Sequence, residues 1–131
     1  PGGTLLAVTN SQEHLDELDQ LTRDAAATLA DPPATVPRRP SGRFELENGA
    51  ILLHSTFEHV ERRDVQSALF ISEAAPVVAY VNSTRSMIEQ LLPTSMEWQA
   101  LLARVERRVA AVIAQHGHFQ VRTHTGVFVC S

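Results

Sequence analysis

The chain of 131 residues has no lysine, only one cysteine, and no apolar run long enough to span a membrane. Its 11 basic residues are all arginines spread along the sequence, and the net charge is -4. Because a nucleic-acid interface needs concentrated positive charge, we expect no nucleic-acid partner. The lone Cys130 excludes an internal disulfide and is typical of a reducing compartment. No secretory leader is recognisable, so we expect a cytoplasmic protein without membrane contact.

The rest of the composition is that of an ordinary folded domain. Hydrophobic residues make up 44% of the chain and charged residues 20%, which are values typical of globular proteins. A chain of this length can bury roughly 65 to 70% of the surface that its unfolded form exposes. The sequence therefore predicts a hydrophobic core within residues 1–131.

The N-terminal segment is typical of an interior strand–helix unit of an open α/β sheet. Pro1-Gly2-Gly3 is a turn signal, and the apolar run Thr4–Val8 predicts a strand covered on both faces. Asn10, with Glu13 three residues later, predicts a capped helix over residues 11–29. Because such a strand needs neighbours on both sides, we expect this segment to open the back half of a larger domain.

The middle of the chain alternates a loop with short regular elements. Four prolines predict a loop over residues 30–42 that is either functional or floppy. Arg43–Glu47 alternates apolar with charged residues and predicts a half-buried strand, after which Asn48 can cap a brief helix. A second sheet strand with a buried apolar end is expected at 67–71, and Pro76 marks the first turn of a further helix.

The last third of the chain carries the clearest pattern. Thr94 and Glu97 form a capping box, apolar residues then recur at helical spacing, and Gly117 supplies the C-cap. Residues 119–130 predict a final strand with a bulge at Gly126. A long helix is thus expected between the last two strands.

This order of elements predicts an α/β fold with a doubly wound sheet. In such sheets ligands bind beyond the carboxyl ends of the strands. The polar residues Thr9, Asn10 and Ser11 follow the first predicted strand, so we expect them at a binding crevice.

Several segments, taken in order, resemble one enzyme family. They are Pro1–Asn10, His14–Leu18, Phe44–Ala50, Phe57–Asp64 with Ala68–Phe70, Pro76–Ser83, Gly117–Phe119 and Gly126–Val129. The set is similar to the C-terminal half of bacterial class I S-adenosylmethionine-dependent methyltransferases that act on small molecules. The resemblance implies a Rossmann-like half-sheet in which the three strands are numbers five, six and seven. The last strand would lie antiparallel between the other two.

The resemblance also implies something missing. The family holds its cofactor with a glycine-rich loop after the first strand and an acidic residue ending the second, whereas Gly2 and Gly3 here precede a strand. We therefore expect S-adenosylmethionine to serve the full-length protein and no cofactor-binding residue in this chain, which alone would be inactive. Residues 1–131 would be a single partial domain that pairs with a missing N-terminal half or self-associates through the Thr4–Val8 edge.

Candidate site residues follow the first strand and the predicted strand at residues 43–47. His14 is a candidate for deprotonating an acceptor hydroxyl or binding substrate, and the alternative is a solvent-facing helix histidine. Thr9 and Asn10 are candidates for lining the acceptor pocket, although capping alone would explain Asn10. By resemblance Glu47 and Asn48 reach the substrate side; otherwise they are a strand end and a helix cap. Methyl transfer depends mainly on positioning, so no other catalytic residue is assigned.

Two functions stay open at this point. One is the C-terminal portion of a methyltransferase that contributes strands and part of the pocket for a small-molecule acceptor. The other is a non-catalytic binding or dimerisation module derived from the same fold. His116, His118 and His124 raise the question of a metal, but without a neighbouring cysteine or a closely spaced acidic ligand we expect no metal site.

Overall fold

A computed structural model describes residues 2–30, 35–38, 42–92 and 96–131. Within these ranges the chain forms a mixed α/β fold. Its elements are β1 (Leu5–Asn10), α1 (Asp16–Leu29), α2 (Gly49–His54), β2 (Val60–Ile71), α3 (Ala74–Ser83), α4 (Arg85–Ile88), a 3-10 turn (Glu89–Leu91), α5 (Trp98–His116) and β3 (Phe119–Cys130).

The chain divides into two compact units. The sheet unit contains Pro1–Asp16, Pro40–Ala68 and Arg122–Ser131, and the helical unit contains Glu17–Arg39 and Leu69–Val121. The chain passes from one unit to the other four times. The sheet unit is therefore built from segments that are far apart in the sequence. Among the described residues, no helix is both long enough and apolar enough to cross a membrane.

The three strands form one antiparallel sheet in the order β1-β3-β2. β1 and β3 pair in a continuous register that runs from Leu5 opposite Cys130 to Asn10 opposite Thr125. The last strand therefore lies between the other two and is antiparallel to the first, as predicted. A long helix, α5, precedes β3, which also agrees with the sequence.

β1 is less buried than its sequence suggested. In the described chain it pairs with β3 alone, and its Leu6 and Val8 side chains are 64% and 70% exposed. The prediction that Thr4–Val8 is covered on both faces is therefore wrong. A run of apolar residues indicates a strand but does not show that other elements cover it.

The helix α1 ends as predicted but begins at Asp16 rather than at residue 11. Residues 11–15 instead form a turn, because the backbone N–H groups of Ser11 and Leu15 donate to carbonyls of β3. Leu15 adopts a φ of 59°, a conformation that interrupts any regular helix. Asn10 is the last residue of β1, and its side chain accepts a hydrogen bond from Thr125 instead of capping the helix.

The segment Arg43–Glu47 forms bends and a turn, so the predicted strand there is wrong. Local hydrogen bonds close this turn: the N–H of Glu45 donates to Oδ1 of Asn48, and the N–H of Gly49 donates to the carbonyl of Glu45. The brief helix that follows is confirmed as α2. Asn48 precedes it, but no side-chain bond caps the helix. Of the predicted loop 30–42, residues 31–34 and 39–41 lie outside the described residues.

β2 is longer than the predicted strand, and its apolar end is not buried. The strand begins at Val60, and the side chains of Leu69 and Phe70 near its end are exposed. β2 has only β3 as a neighbour in the described sheet, which leaves one of its edges open. The prediction of a buried end at 67–71 is therefore wrong.

In the helical unit, α3 packs against α5. Val77 and Val81 from α3 are buried, as are Leu101, Val105 and Val109 from α5. Within each helix these positions recur every four residues, which is a spacing of one helix face. The predicted apolar pattern of α5 therefore marks its buried side.

Both ends of α5 bear on the sequence prediction. Gly117 has a φ of 82° and ends the helix with an N–H bond to the carbonyl of Ile113, which confirms the predicted C-cap. Glu97 precedes the helix, but no side-chain bond caps it there. Thr94, the other half of the predicted capping box, lies outside the described residues. The first helical residue, Trp98, donates from Nε1 to Oδ1 of Asn82 at 2.9 Å.

The core of the sheet unit lies beneath β3. Its fully buried members are Leu46, Phe128 and Cys130, so the cysteine is a buried strand residue. The ring of Phe44 meets that of Phe128 at 5.7 Å between centroids. Gly49 contacts the Phe128 ring so closely that a Cβ there would overlap it.

Gly126 also marks a close approach rather than a bulge. The register of β1 against β3 passes through it without interruption, so the predicted bulge is wrong. A Cβ at this position would lie 2.7 Å from Cδ2 of Leu46, 2.8 Å from Cβ of Asp64 and 3.0 Å from the carbonyl oxygen of Arg63. A glycine within a strand indicates either a bulge or such an approach, and here it is the second.

We expect Gly126→Ala to lower the free energy of unfolding by about 1 to 3 kcal/mol, because the added methyl group overpacks this contact. Urea unfolding followed by circular dichroism measures the change. Gly3→Ala is the matched control, since a Cβ at Gly3 meets nothing within 4 Å. Equal stability of the two variants would contradict the packing described for Gly126.

Candidate functional site

A polar cluster lies in the sheet unit where β1 ends. The turn at residues 11–15, the turn before α2 and the neighbouring strands β2 and β3 each contribute to it. We call it the polar cluster, and its members are Ser11, His14, Glu47, Arg62, Asp64 and His124. It lies beyond the last residue of β1, the position at which a ligand site was expected.

Ser11 and Glu47 join the first turn to the second. The Ser11 hydroxyl donates to Oε1 of Glu47 at 2.5 Å, and the N–H of Gln12 donates to both carboxylate oxygens at 3.3 and 3.2 Å. Burial opposes the charge of Glu47, but these donors and the charge of Arg62 outweigh it and hold its pKa below the usual value. Glu47 is therefore an ionised anchor for the turn that carries His14.

Arg62 and Asp64 form a two-pronged ion pair on β2. Nε of Arg62 donates to Oδ1 of Asp64 at 3.1 Å and Nη2 donates to Oδ2 at 2.9 Å. Residues two apart in a strand share a face, which places both side chains on the same side of the sheet. Nη1 of Arg62 also donates to the carbonyl of Leu46 at 3.0 Å, so the pair ties β2 to the second turn.

Asp64 also contacts the central strand. Its Oδ2 lies 2.5 Å from Nε2 of His124. The hydrogen bonds from Arg62 and then from His124 lower the pKa of Asp64 to about 2. Asp64 is thus a carboxylate at neutral pH. It can accept hydrogen bonds from Arg62 on one side and from His124 on the other.

His14 is held against β3 by its ring. Nδ1 of His14 accepts a hydrogen bond from the N–H of His124 at 3.0 Å. The proton of the neutral ring is therefore assigned to Nε2, which can donate but not accept. Burial lowers the pKa of His14. In this arrangement the Nε2–H group of His14 is suited to donate a hydrogen bond to a ligand, and the ring is not suited to act as a general base.

The other predicted site residues hold the backbone together. The Thr9 hydroxyl donates to the carbonyl of Phe44 at 2.8 Å, and the Asn10 carbonyl accepts from the N–H of Leu46 at 3.2 Å. Both therefore tie β1 to the second turn. Asn48 bonds back to that turn and does not join the polar cluster. Of the predicted set, His14 and Glu47 are members of the cluster.

Sequence reasoning missed Arg62 and Asp64, and it considered His124 only as a metal ligand. The spacing of Arg62 and Asp64 within a strand was a usable signal, because it predicts one shared face. The partnership with His124 had no such signal, since the two residues are 60 positions apart.

Nothing among the described residues groups three or more histidine, cysteine or acidic side chains as metal ligands. His116 and His118 lie in the helical unit and line a pocket there with Val112, Phe119 and Gln120. His124 belongs to the sheet unit. The three histidines thus belong to different parts of the described fold.

A small pocket adjoins the polar cluster. Its volume is about 80 Å³, and it is lined by Glu13, Gln66, Ser67, Arg122, Thr123 and His124. Arg122 lies 3.8 Å from the Glu13 carboxylate at its rim. The lining residues all carry polar or charged side chains, so the pocket offers hydrogen-bonding groups to a ligand.

No protein-family model matches the chain, and a search among curated proteins finds no match to it. The resemblance to class I methyltransferases therefore stays a prediction from the sequence segments quoted above. The described fold itself is mixed α/β with a three-stranded antiparallel sheet.

The lowered pKa of Asp64 predicts a pH dependence of stability. Because the folded pKa of about 2 lies below the ordinary value of 3.8, the carboxylate stabilises the fold above about pH 4. That contribution is lost as the pH falls from about 4 to about 2. Asp64→Asn should therefore lose less stability over this window than the unaltered chain, as measured by urea unfolding at a series of pH values.

Asp24→Asn is the control for this measurement, because it removes a carboxylate of α1 that lies outside the polar cluster. The control should follow the unaltered chain between pH 4 and pH 2. If Asp64→Asn and the unaltered chain fall in parallel, the ion pair of Asp64 with Arg62 does not stabilise the fold.

Proposed function

We propose that the chain is the portion of a class I S-adenosylmethionine-dependent methyltransferase that supplies strands five to seven and the acceptor side of the site. The strand order carries this proposal: β3 lies between β1 and β2 and runs antiparallel to β1. That is the order the resemblance implies for the end of a doubly wound methyltransferase sheet. The substrate would be a small molecule.

The position of the polar cluster also supports the proposal. In doubly wound sheets the ligand crevice lies beyond the carboxyl ends of the parallel strands. β1 ends at Asn10, and the cluster begins with the next residue. Here His14 would donate to an acceptor atom of the substrate, and Glu47 would hold the turn that carries it.

Among the described residues, those around the polar cluster do not form a complete cofactor site. The pocket beside the cluster has a volume of about 80 Å³. Pockets for small-molecule ligands and cofactors such as S-adenosylmethionine measure roughly 300 to 1,000 Å³. Gly2 and Gly3 precede β1 and so cannot form the glycine-rich turn that follows a strand. S-adenosylmethionine would therefore be bound by an N-terminal half outside this chain.

We expect a glycine-rich strand–turn–helix to be encoded within about 100 residues before Pro1 in the gene. The protein that includes this segment should bind S-adenosylmethionine in isothermal titration calorimetry, and the 131-residue chain alone should not. Micromolar binding by the chain alone would overturn the proposed division of the site. Absence of binding by the longer protein would overturn the methyltransferase proposal itself.

The exposed edge of β1 favours a second candidate, a module that associates through this strand. The side chains of Leu6 and Val8 are exposed, and β1 contains no charged residue. An uncharged apolar edge strand is a template for pairing with another chain. The occupant of that edge would be the N-terminal half in the enzyme and a second copy in the module.

The 131-residue chain should therefore self-associate, with an average mass in sedimentation velocity that rises with concentration. The double variant Leu6→Lys/Val8→Lys should be monomeric, because charges on an edge strand oppose pairing. Ile51→Lys is the matched control, since it replaces an exposed apolar residue on α2 instead. A chain that stays monomeric at high concentration would speak against both forms of edge pairing.

A further inference from the structure

His124 occupies a distinctive position in the sheet unit. It lies on the central strand, its side chain is 14% exposed, and it lines the pocket beside the polar cluster. One ring nitrogen, Nε2, bonds to the carboxylate of Asp64. The other, Nδ1, has no hydrogen-bond partner among the described residues.

The partnership with Asp64 fixes the tautomer of the neutral His124 ring. Asp64 is ionised at neutral pH, so it accepts the hydrogen bond and the ring nitrogen Nε2 carries the proton. The lone pair of the neutral ring is then on Nδ1. A histidine oriented by a carboxylate in this way is suited to take up a proton, because the carboxylate stabilises the imidazolium that results.

The backbone of His124 is held on both sides. Its N–H donates to Nδ1 of His14 at 3.0 Å, and its carbonyl accepts from the N–H of Ser11 at 3.0 Å. These bonds leave the main chain little freedom, while Asp64 sets the ring. A proton-transfer group requires such support from both sides, because a misplacement of about 1 Å can cost about 10²-fold in rate.

Charged groups from each neighbouring segment face this site. The ion pair of Arg62 and Asp64 comes from β2, and His14 and Glu13 come from the turn at residues 11–15. Arg122 comes from β3 and lies near Glu13. Arg62 is bonded to Asp64 by two hydrogen bonds, so it neutralises part of the charge that faces His124.

We propose that His124 is the proton acceptor of this site, with Asp64 fixing the ring so that Nδ1 can accept a proton. The ligand would be a small molecule that places a hydroxyl or a protonated amine in the pocket lined by Gln66, Ser67 and His124. Its O–H or N–H bond breaks, a bond from hydrogen to Nδ1 forms, and the electron pair stays on the ligand atom. This makes the ligand atom a nucleophile. If the chain has the proposed function, that is the state a methyl acceptor needs.

The tautomer can be tested on the 131-residue chain by long-range proton–nitrogen NMR spectra of its histidines. In its neutral form, we expect the His124 ring to carry its proton on Nε2, with Nδ1 unprotonated. Asp64→Asn should give a mixture of tautomers, because the amide can either donate or accept. Glu61→Gln, on the same strand but paired with Arg63, should leave the His124 signals unchanged. A neutral His124 ring with its proton on Nδ1 in the unaltered chain would overturn the proposal.

The proton transfer is tested in the longer protein, once its binding of S-adenosylmethionine has been measured. His124→Gln should lower turnover by about 10² to 10⁴-fold, the usual worth of a general base, and leave cofactor affinity unchanged. An unchanged turnover would overturn the assignment. If the longer protein binds no S-adenosylmethionine, the methyltransferase proposal fails, and the NMR result alone decides whether Asp64 orients His124 as a proton acceptor.

Discussion

The antiparallel pairing of β1 with β3 is the interaction on which the rest of the sheet unit depends. It joins residues from the two ends of the chain in one continuous register. The turn after β1 continues that pairing, because two of its N–H groups donate to β3 carbonyls. Without this ladder, neither His14 nor Ser11 would lie beside His124, and the polar cluster would have no common frame.

The sequence predicted the elements that are defined locally. The helical spacing of α5, its C-cap at Gly117 and the end of α1 all depend on residues within a few turns of one another. The position of the last strand was predicted from the resemblance rather than from any pattern of residues. Local patterns failed where backbone groups could bond either within a helix or to a distant strand. At residues 11–15, hydrogen bonds to β3 replace the predicted first turn of the helix.

The candidate site could be predicted only in part for the same reason. His14 was a candidate because it follows the first predicted strand, and Glu47 was a candidate by the resemblance; both belong to the polar cluster. The carboxylate of Asp64 and the ring of His124 meet across two strands that are distant in sequence. Such a pairing depends on strand register, and a single sequence does not specify the register between strands separated by a long helix.

The two outer strands of the sheet differ in a way that limits assembly. β2 carries four consecutive charged residues, Glu61–Asp64, arranged as one ion pair on each face, whereas β1 carries none. Charged side chains discourage a strand from adding to an open edge. The charged stretch Glu61–Asp64 therefore opposes pairing along that part of β2, whereas β1 has no such charges. The two edge strands of the described sheet therefore differ in charge, and a second chain would meet different surfaces at each.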